Sequence, residues 1–270
     1  MQISSIFFAI LIACSLFSIT HGPAINVKGF SFEISKFFIF ILNIFFIYKS
    51  SFNKANRTSI NSFRGISLEE AIDIFKEIKE IFDCPILTDV HNEDQCKRLS
   101  STDVVDIIQI PAFLCRQTDL LIAAGNSNKI INVKKGQFLS PNDIPNIIEK
   151  ISSTKNNKIM ITERGTSFGY NNLISDFRSI EIMKKYNYPV IFDATHSVQE
   201  PGGLGQSSGG KREYVSTLSK AAISIGVAGL FIETHDNPDE APSDGPNMLN
   251  IKDLKQLLLK LIDFDNIAKS

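Results

Sequence analysis

From residue 44 onward, short runs of consecutive apolar residues alternate with longer segments in which apolar residues recur every three or four positions. The runs are IFFIYKSS (44–51), PILTDVH (85–91), DIIQIPA (106–112), KIINVKK (129–135), KIMITERG (158–165), PVIFDATH (189–196) and GLFIETH (229–235). Between the first two, Leu68, Ala71, Ile72, Phe75, Ile78 and Phe82 keep one face behind a Ser67/Glu70 capping box, which predicts a helix. Segments 140–151, 174–186, 213–226 and 250–264 carry the same periodicity. Strands that are apolar throughout are covered on both faces, and helices between them imply parallel pairing. Seven such units, with an eighth strand available near the N-terminus, predict a single-domain (β/α)8 TIM barrel whose first strand and helix are atypical. A doubly wound open sheet would need a Gly-rich first turn, which the chain lacks.

The first 43 residues break the pattern, so the catalytic barrel is assigned to 44–270 and the segment 1–43 is set apart. The stretch 1–22 has the apolar length of a signal peptide, and LIAC, ending at Cys14, looks like a lipoprotein processing site, yet no Lys or Arg precedes it. The run Phe37 to Tyr48 is shorter than the roughly 20 residues that span a bilayer. A leader, a degenerate first strand and helix, and a wrong start or frameshift all remain open readings.

Each apolar run turns polar at its end: Lys49 and Ser50, Asp89 and His91, Gln109, Lys134 and Lys135, Glu163 and Arg164, Asp193 and His196, Glu233 and His235. In a parallel barrel all these ends open on one face, so distant residues converge there. Lys49, Lys54, Arg57, Lys134 and Arg164 bring five cations to that mouth in a chain of net charge −1. Like charges on an enclosed face repel, so the mouth expects phosphate or carboxylate groups. The near-neutral balance gives no global field for nucleic acid or an acidic membrane. Cys14, Cys84, Cys96 and Cys115 form no C-x-x-C pair, which fits free thiols in a reducing, cytoplasmic setting.

His196, Glu233 and Asp244 offer one imidazole and two carboxylates after the last two strands, a set that suits zinc, iron or manganese. The alternative is a hydrogen-bonded histidine among rim carboxylates. PGGLGQSSGG (201–210) reads either as a water-excluding lid or as a loose connection, and not as a dinucleotide loop.

Taken together, KSSFNKANRTS, TDVH, IQIPAFLCRQTD, NVKKGQF, TERGTSFGYNNL, FDATHSVQ, PGGLG and SDGPNM make the chain resemble the 3-deoxy-D-manno-octulosonate 8-phosphate synthases from about Tyr48 to the C-terminus. The resemblance implies a homotetrameric barrel of lipopolysaccharide synthesis that condenses phosphoenolpyruvate with D-arabinose 5-phosphate. It implies Lys54, Lys134 and Arg164, with Gln109, as the phosphoenolpyruvate clamp. It implies Lys49, Asn56, Arg57, Thr58 and Asp89 as the pentose-phosphate site, and Arg116 as an arginine lent by a neighbouring subunit. His196, Asp89 and Lys54 are the residues it implies for catalysis, and KANR favours arabinose phosphate over erythrose phosphate. PGGLG and SDGPNM resemble the metal-dependent branch, in which His196, Glu233 and Asp244 join a cysteine of strand one. Here GPAINV has Ala24 where that cysteine belongs. Asn26 could then mimic the metal-independent branch, or Cys14 could be the fourth ligand. A catalytically impaired barrel with a damaged N-terminus, a related phosphoenolpyruvate-dependent synthase and an exported anion-binding protein are the competing readings.

Overall fold

The structure is a computed structural model that describes residues 9–13, 42, 44–56, 59–61, 64–203, 208–241 and 243–270. Eight parallel strands form its centre: β1 (Ala9–Ala13), β2 (Phe45–Lys49), β3 (Ile86–Asp89), β4 (Ile107–Ile110), β5 (Ile130–Lys134), β6 (Ile159–Glu163), β7 (Val190–Asp193) and β8 (Gly229–His235). Each pairs with the next, and β8 pairs back onto β1, so the sheet closes and leaves no open edge among these strands. The segment 1–43 contributes β1 to this closure: Ala9 lies opposite both Phe45 and Gly229, and Ala13 opposite both Lys49 and Glu233. The seven apolar runs are the seven strands β2 to β8, and the (β/α)8 barrel expected from them is the fold.

Helices cover the outer face: α1 (Leu68–Phe82), α2 (Glu93–Ser100), α3 (Thr118–Asn126), α4 (Ile144–Ser152), α5 (Phe177–Lys184), α6 (Val215–Ser224) and α7 (Ile251–Lys269). The capping box is present, with the Ser67 amide donating to Glu70 Oε2 at 2.9 Å and the Glu70 amide to Ser67 Oγ at 3.3 Å. Helices α2 and α3 were not legible as periodic segments. In α2 only Cys96 and Leu99 are buried, too few to trace a stripe, and the Asn92 side chain supplies the start by accepting from the Gln95 amide.

Period-two alternation then sorts every strand into an inner and an outer row. Ile47, Leu87, Ile107, Ile191 and Phe231 fill the barrel interior as one apolar plug, with Ile130 and Met160 packed against it. Outward-facing neighbours such as Phe46, Tyr48, Val133 and Ile161 join the larger core beneath the helices. Two residues beyond each inner apolar position the chain is still facing inward, one layer nearer the C-terminal mouth. Those positions are Lys49, Asp89, Gln109, Asp193 and Glu233, and on β5 and β6 the same inner rows run Ile130, Asn132, Lys134 and Met160, Thr162, Arg164. The site is therefore a direct consequence of register. Cys84, Cys96 and Cys115 are buried in the outer core, and burial pushes the Cys96 thiol up to about 12, which suits inert packing. Cys14 lies outside the described residues. No helix among the described residues is long and apolar enough to cross a membrane.

Candidate active site

Above the apolar plug opens a cavity of about 600 Å³. Lys49, Lys54, Asn56, Asp89, Gln109, Lys134, Arg164, His196 and Asp244 all line it. Arg57, Thr58 and Cys14 fall outside the described residues. Arg116 is exposed after β4 and does not line the cavity of its own chain.

The mouth is less one-sided in charge than the lysines and arginines alone suggested. Lys134 Nζ lies 2.6 Å from Asp193 Oδ2 and 4.1 Å above the centre of the Phe231 ring. Lys49 Nζ donates to Ser51 Oγ at 2.9 Å and stands 3.8 Å from Asp89 Oδ1. Two of the cations thus carry buried carboxylate partners, which reduces the repulsion without removing it. Burial, with Lys54 adding repulsion, draws the Lys49 ammonium below its ordinary pKa in spite of Asp89 and Glu233. The Arg164 guanidinium has no salt-bridge partner among the described residues: Nη2 donates to Gln199 Oε1 at 2.9 Å, and buried Nη1 finds no hydrogen-bond partner there. Burial draws its pKa down, against Asp193 and Asp244, yet a guanidinium keeps its proton. A buried donor left unpaired costs free energy, and an anionic oxygen beside Nη1 would supply the acceptor.

Asp193 organises the opposite wall. Its Oδ1 accepts from the His196 amide at 2.8 Å, and its Oδ2 lies 2.8 Å from His196 Nδ1. Burial would raise its pKa, but His196 and Lys134 hold it well below the carboxylate range. An ionised carboxylate only accepts, so His196 Nδ1 donates to Asp193, which turns Nε2 to the far side of the ring. That Nε2 faces Glu233 Oε1 at 3.9 Å. Ligand atoms of His196, Glu233 and Asp244 all lie within 4.8 Å of one another, and buried Glu233 Oε2 has no hydrogen-bond partner among the described residues. A mixed nitrogen and oxygen set with an orphaned carboxylate oxygen fits a divalent ion. Asp193, although visible as a strand end, was not singled out from sequence as part of this assembly. The Asp-x-x-His spacing of DATH was the available signal.

Asp89 meets Lys49 on one side and His91 Nε2 on the other, the latter at 3.1 Å. Burial alone would raise its carboxyl, but Lys49, His91 and Lys54 hold it well below the usual range. A carboxyl depressed on folding stabilises above its unfolded pKa, and that contribution is lost as pH falls towards the folded value. Wild type is therefore expected to lose stability from about pH 5 downward more steeply than Asp89→Asn. Urea midpoints measured down to about pH 3 check this, and equal slopes would contradict the assignment.

A closed parallel barrel with basic side chains and a metal-fitting triad at its C-terminal mouth defines an enzyme of the TIM-barrel class that handles small anionic molecules. More narrowly, the chain belongs to the DAHP synthetase I family, whose model matches residues 35–270. It is 60% identical over 228 residues to the 2-dehydro-3-deoxyphosphooctonate aldolase of Bartonella tribocorum, covering 84% of this chain and 81% of that one. Similarity to the aldolase of the same name from Bartonella henselae is 55% over 257 residues, covering 94% and 91%. The Brucella anthropi aldolase is 58% identical over 228 residues, covering 84% and 82%.

Proposed function

We propose that this chain condenses phosphoenolpyruvate with D-arabinose 5-phosphate and water, giving 3-deoxy-D-manno-octulosonate 8-phosphate and inorganic phosphate for lipopolysaccharide synthesis. The observation that carries the reading is the inner row of Lys49, Lys134 and Arg164 around one cavity, with buried Arg164 Nη1 lacking a partner among the described residues. Identity of 55–60% to proteins named for this aldolase reaction supports it.

In this reading Lys54, Lys134 and Arg164 grip phosphoenolpyruvate, with Gln109 fixed beside them by the Asn132 amide at 3.1 Å. Lys49, Asn56, Arg57, Thr58 and Asp89 hold the pentose phosphate. Carbon 3 of the enol phosphate attacks the aldehyde carbon, whose oxygen takes a proton. Water adds to carbon 2, and phosphate leaves from that carbon. Cations already in place stabilise the shifting charge without reorganising, and holding both substrates together removes much of the entropic barrier. His196, with its Nδ1 proton committed to Asp193, and Asp89 orient the water and the aldehyde.

His196, Glu233 and Asp244 would hold a divalent ion, zinc, iron or manganese, which when bound supplies Lewis acidity at the mouth. The sequence offers Cys14, the residue after Ala13, as the proposed fourth ligand, a thiolate. A Cys14→Ser variant is expected to bind zinc on the order of tenfold more weakly, measured by competition with a chromogenic chelator. Unchanged affinity would remove Cys14 from the ligand set.

Exposed Arg116 suits a role at a neighbouring copy, so a homotetramer is the proposed assembly. Cys96 and Cys115, free thiols buried in the outer core, support a reducing, cytoplasmic location. The decisive experiment measures phosphate release from phosphoenolpyruvate with arabinose 5-phosphate, with and without a chelator. Turnover dependent on both substrates is expected, and none under any divalent metal would overturn the proposal.

A further inference from the structure

Behind the cavity lies a second ionic pair that no step above uses. Alternation along β5 and β6 turns Lys134 and Arg164 inward, and turns their neighbours Lys135 and Glu163 outward, under the helices. Lys135 and Glu163 are 0% and 1% exposed, with Nζ and Oε2 at 3.5 Å. Burying two charges there is costly unless hydrogen bonds complete them. Lys135 Nζ also donates to the Gly136 and Leu139 carbonyls at 3.3 and 3.2 Å, and to Thr166 Oγ1 at 3.4 Å. Glu163 Oε2 accepts from Ser179 Oγ of α5 at 2.8 Å.

The other oxygen points back at the site. Glu163 Oε1 accepts from the Arg164 amide at 3.0 Å and from the Gly165 amide at 2.8 Å, where the chain turns through φ +90°. One carboxylate thus clamps the two consecutive peptides that carry Arg164. It does so while tied to the helix layer by Ser179 and to the end of the neighbouring strand β5 by Lys135. Arg164 needs such support, because among the described residues its guanidinium has one amide oxygen as a hydrogen-bond acceptor and no salt-bridge partner.

From this geometry we infer that Glu163 is a positioning residue, which fixes the backbone of Arg164 so that its guanidinium is aimed at the anion before the anion arrives. The inference rests on the proposed reaction only for the identity of that anion, phosphoenolpyruvate. Lys135 is the counter-charge that lets a carboxylate occupy this place, and Ser179 sets its orientation.

The test compares three variants of the full chain: Lys135→Met alone, and with Glu163→Gln or Glu163→Ala added. Glutamine keeps an oxygen for the two amides and an N–H for Ser179, whereas alanine removes the clamp, and the shared background cancels the loss of Lys135. Calorimetry should show phosphoenolpyruvate binding on the order of tenfold weaker with alanine than with glutamine. In turnover, KM for phosphoenolpyruvate should follow that ratio, while KM for arabinose 5-phosphate stays within about twofold. Equal binding by the alanine and glutamine variants, or a matched rise in both KM values, would overturn the inference. Should the Lys135→Met background fail to fold, Ser179→Ala in the wild-type chain reads the same device. It removes one hydrogen bond, so phosphoenolpyruvate should bind about threefold more weakly, and unaltered binding would overturn the inference. Wild type that binds phosphoenolpyruvate without turnover would contradict the proposed reaction and leave the calorimetric comparison to decide this point.

Discussion

Replacing Lys134 by methionine is expected to lower kcat/KM by on the order of 10³, the scale seen when one preorganised electrostatic group is removed. Its ammonium sits between Asp193 Oδ2 at 2.6 Å and the face of Phe231 at 4.1 Å, with His196 Nδ1 at 3.3 Å. The substitution removes a cation from the anion clamp and leaves Asp193, which is 0% exposed, without its ammonium partner. Stranding a buried charge in this way costs about 3–5 kcal/mol of stability. The two effects separate in Lys134→Met/Asp193→Asn, where the stranded charge is gone. Thermal unfolding of the double variant should recover much of the loss while kcat/KM stays low. Recovery of activity along with stability would show that Lys134 serves the fold and not the substrate.

Loss of the proposed divalent ion is the second large effect expected. Stripping the protein with a chelator is expected to abolish phosphate release, and manganese or zinc should restore it. Glu233→Gln should bind metal at least 10²-fold more weakly than wild type, since a buried carboxylate proposed as a ligand, with one oxygen unpaired among the described residues, becomes neutral. Elemental analysis of the purified chain supplies a readout independent of activity: wild type is expected to retain metal through dialysis, and the variant to lose it. Wild type that is fully active and free of metal would return His196, Glu233 and Asp244 to the alternative of a hydrogen-bonded histidine among carboxylates.

Much of the barrel could be read directly because a strand buried on both faces leaves an unbroken apolar run, and seven of these were present. Helices α1 and α4 to α7 were legible from a sustained apolar stripe. Helix α2 was not, since a two-turn element with two buried residues produces no measurable period, and its start depends on one Asn92 hydrogen bond. The first strand was expected near the N-terminus, but its position was hidden for a different reason: Ala9 to Ala13 lie inside a longer apolar stretch that has the outline of a leader. What identifies them as a strand is pairing with both β2 and β8, contacts far away in sequence.

The sequence by itself determined the order of strands, the polar residue at each strand end, and hence that Lys49, Lys54, Lys134 and Arg164 gather at one mouth. Strand direction and period two are local properties of the chain, and they carry that information residue by residue. Tertiary structure alone decided which partner each charge meets. That Lys134 pairs with Asp193, that Asp193 selects the proton position of His196, and that Glu163 turns away from the cavity to clamp Arg164 all depend on distances between strands. Those distances are set by sheet closure and stagger, which no short stretch of sequence encodes.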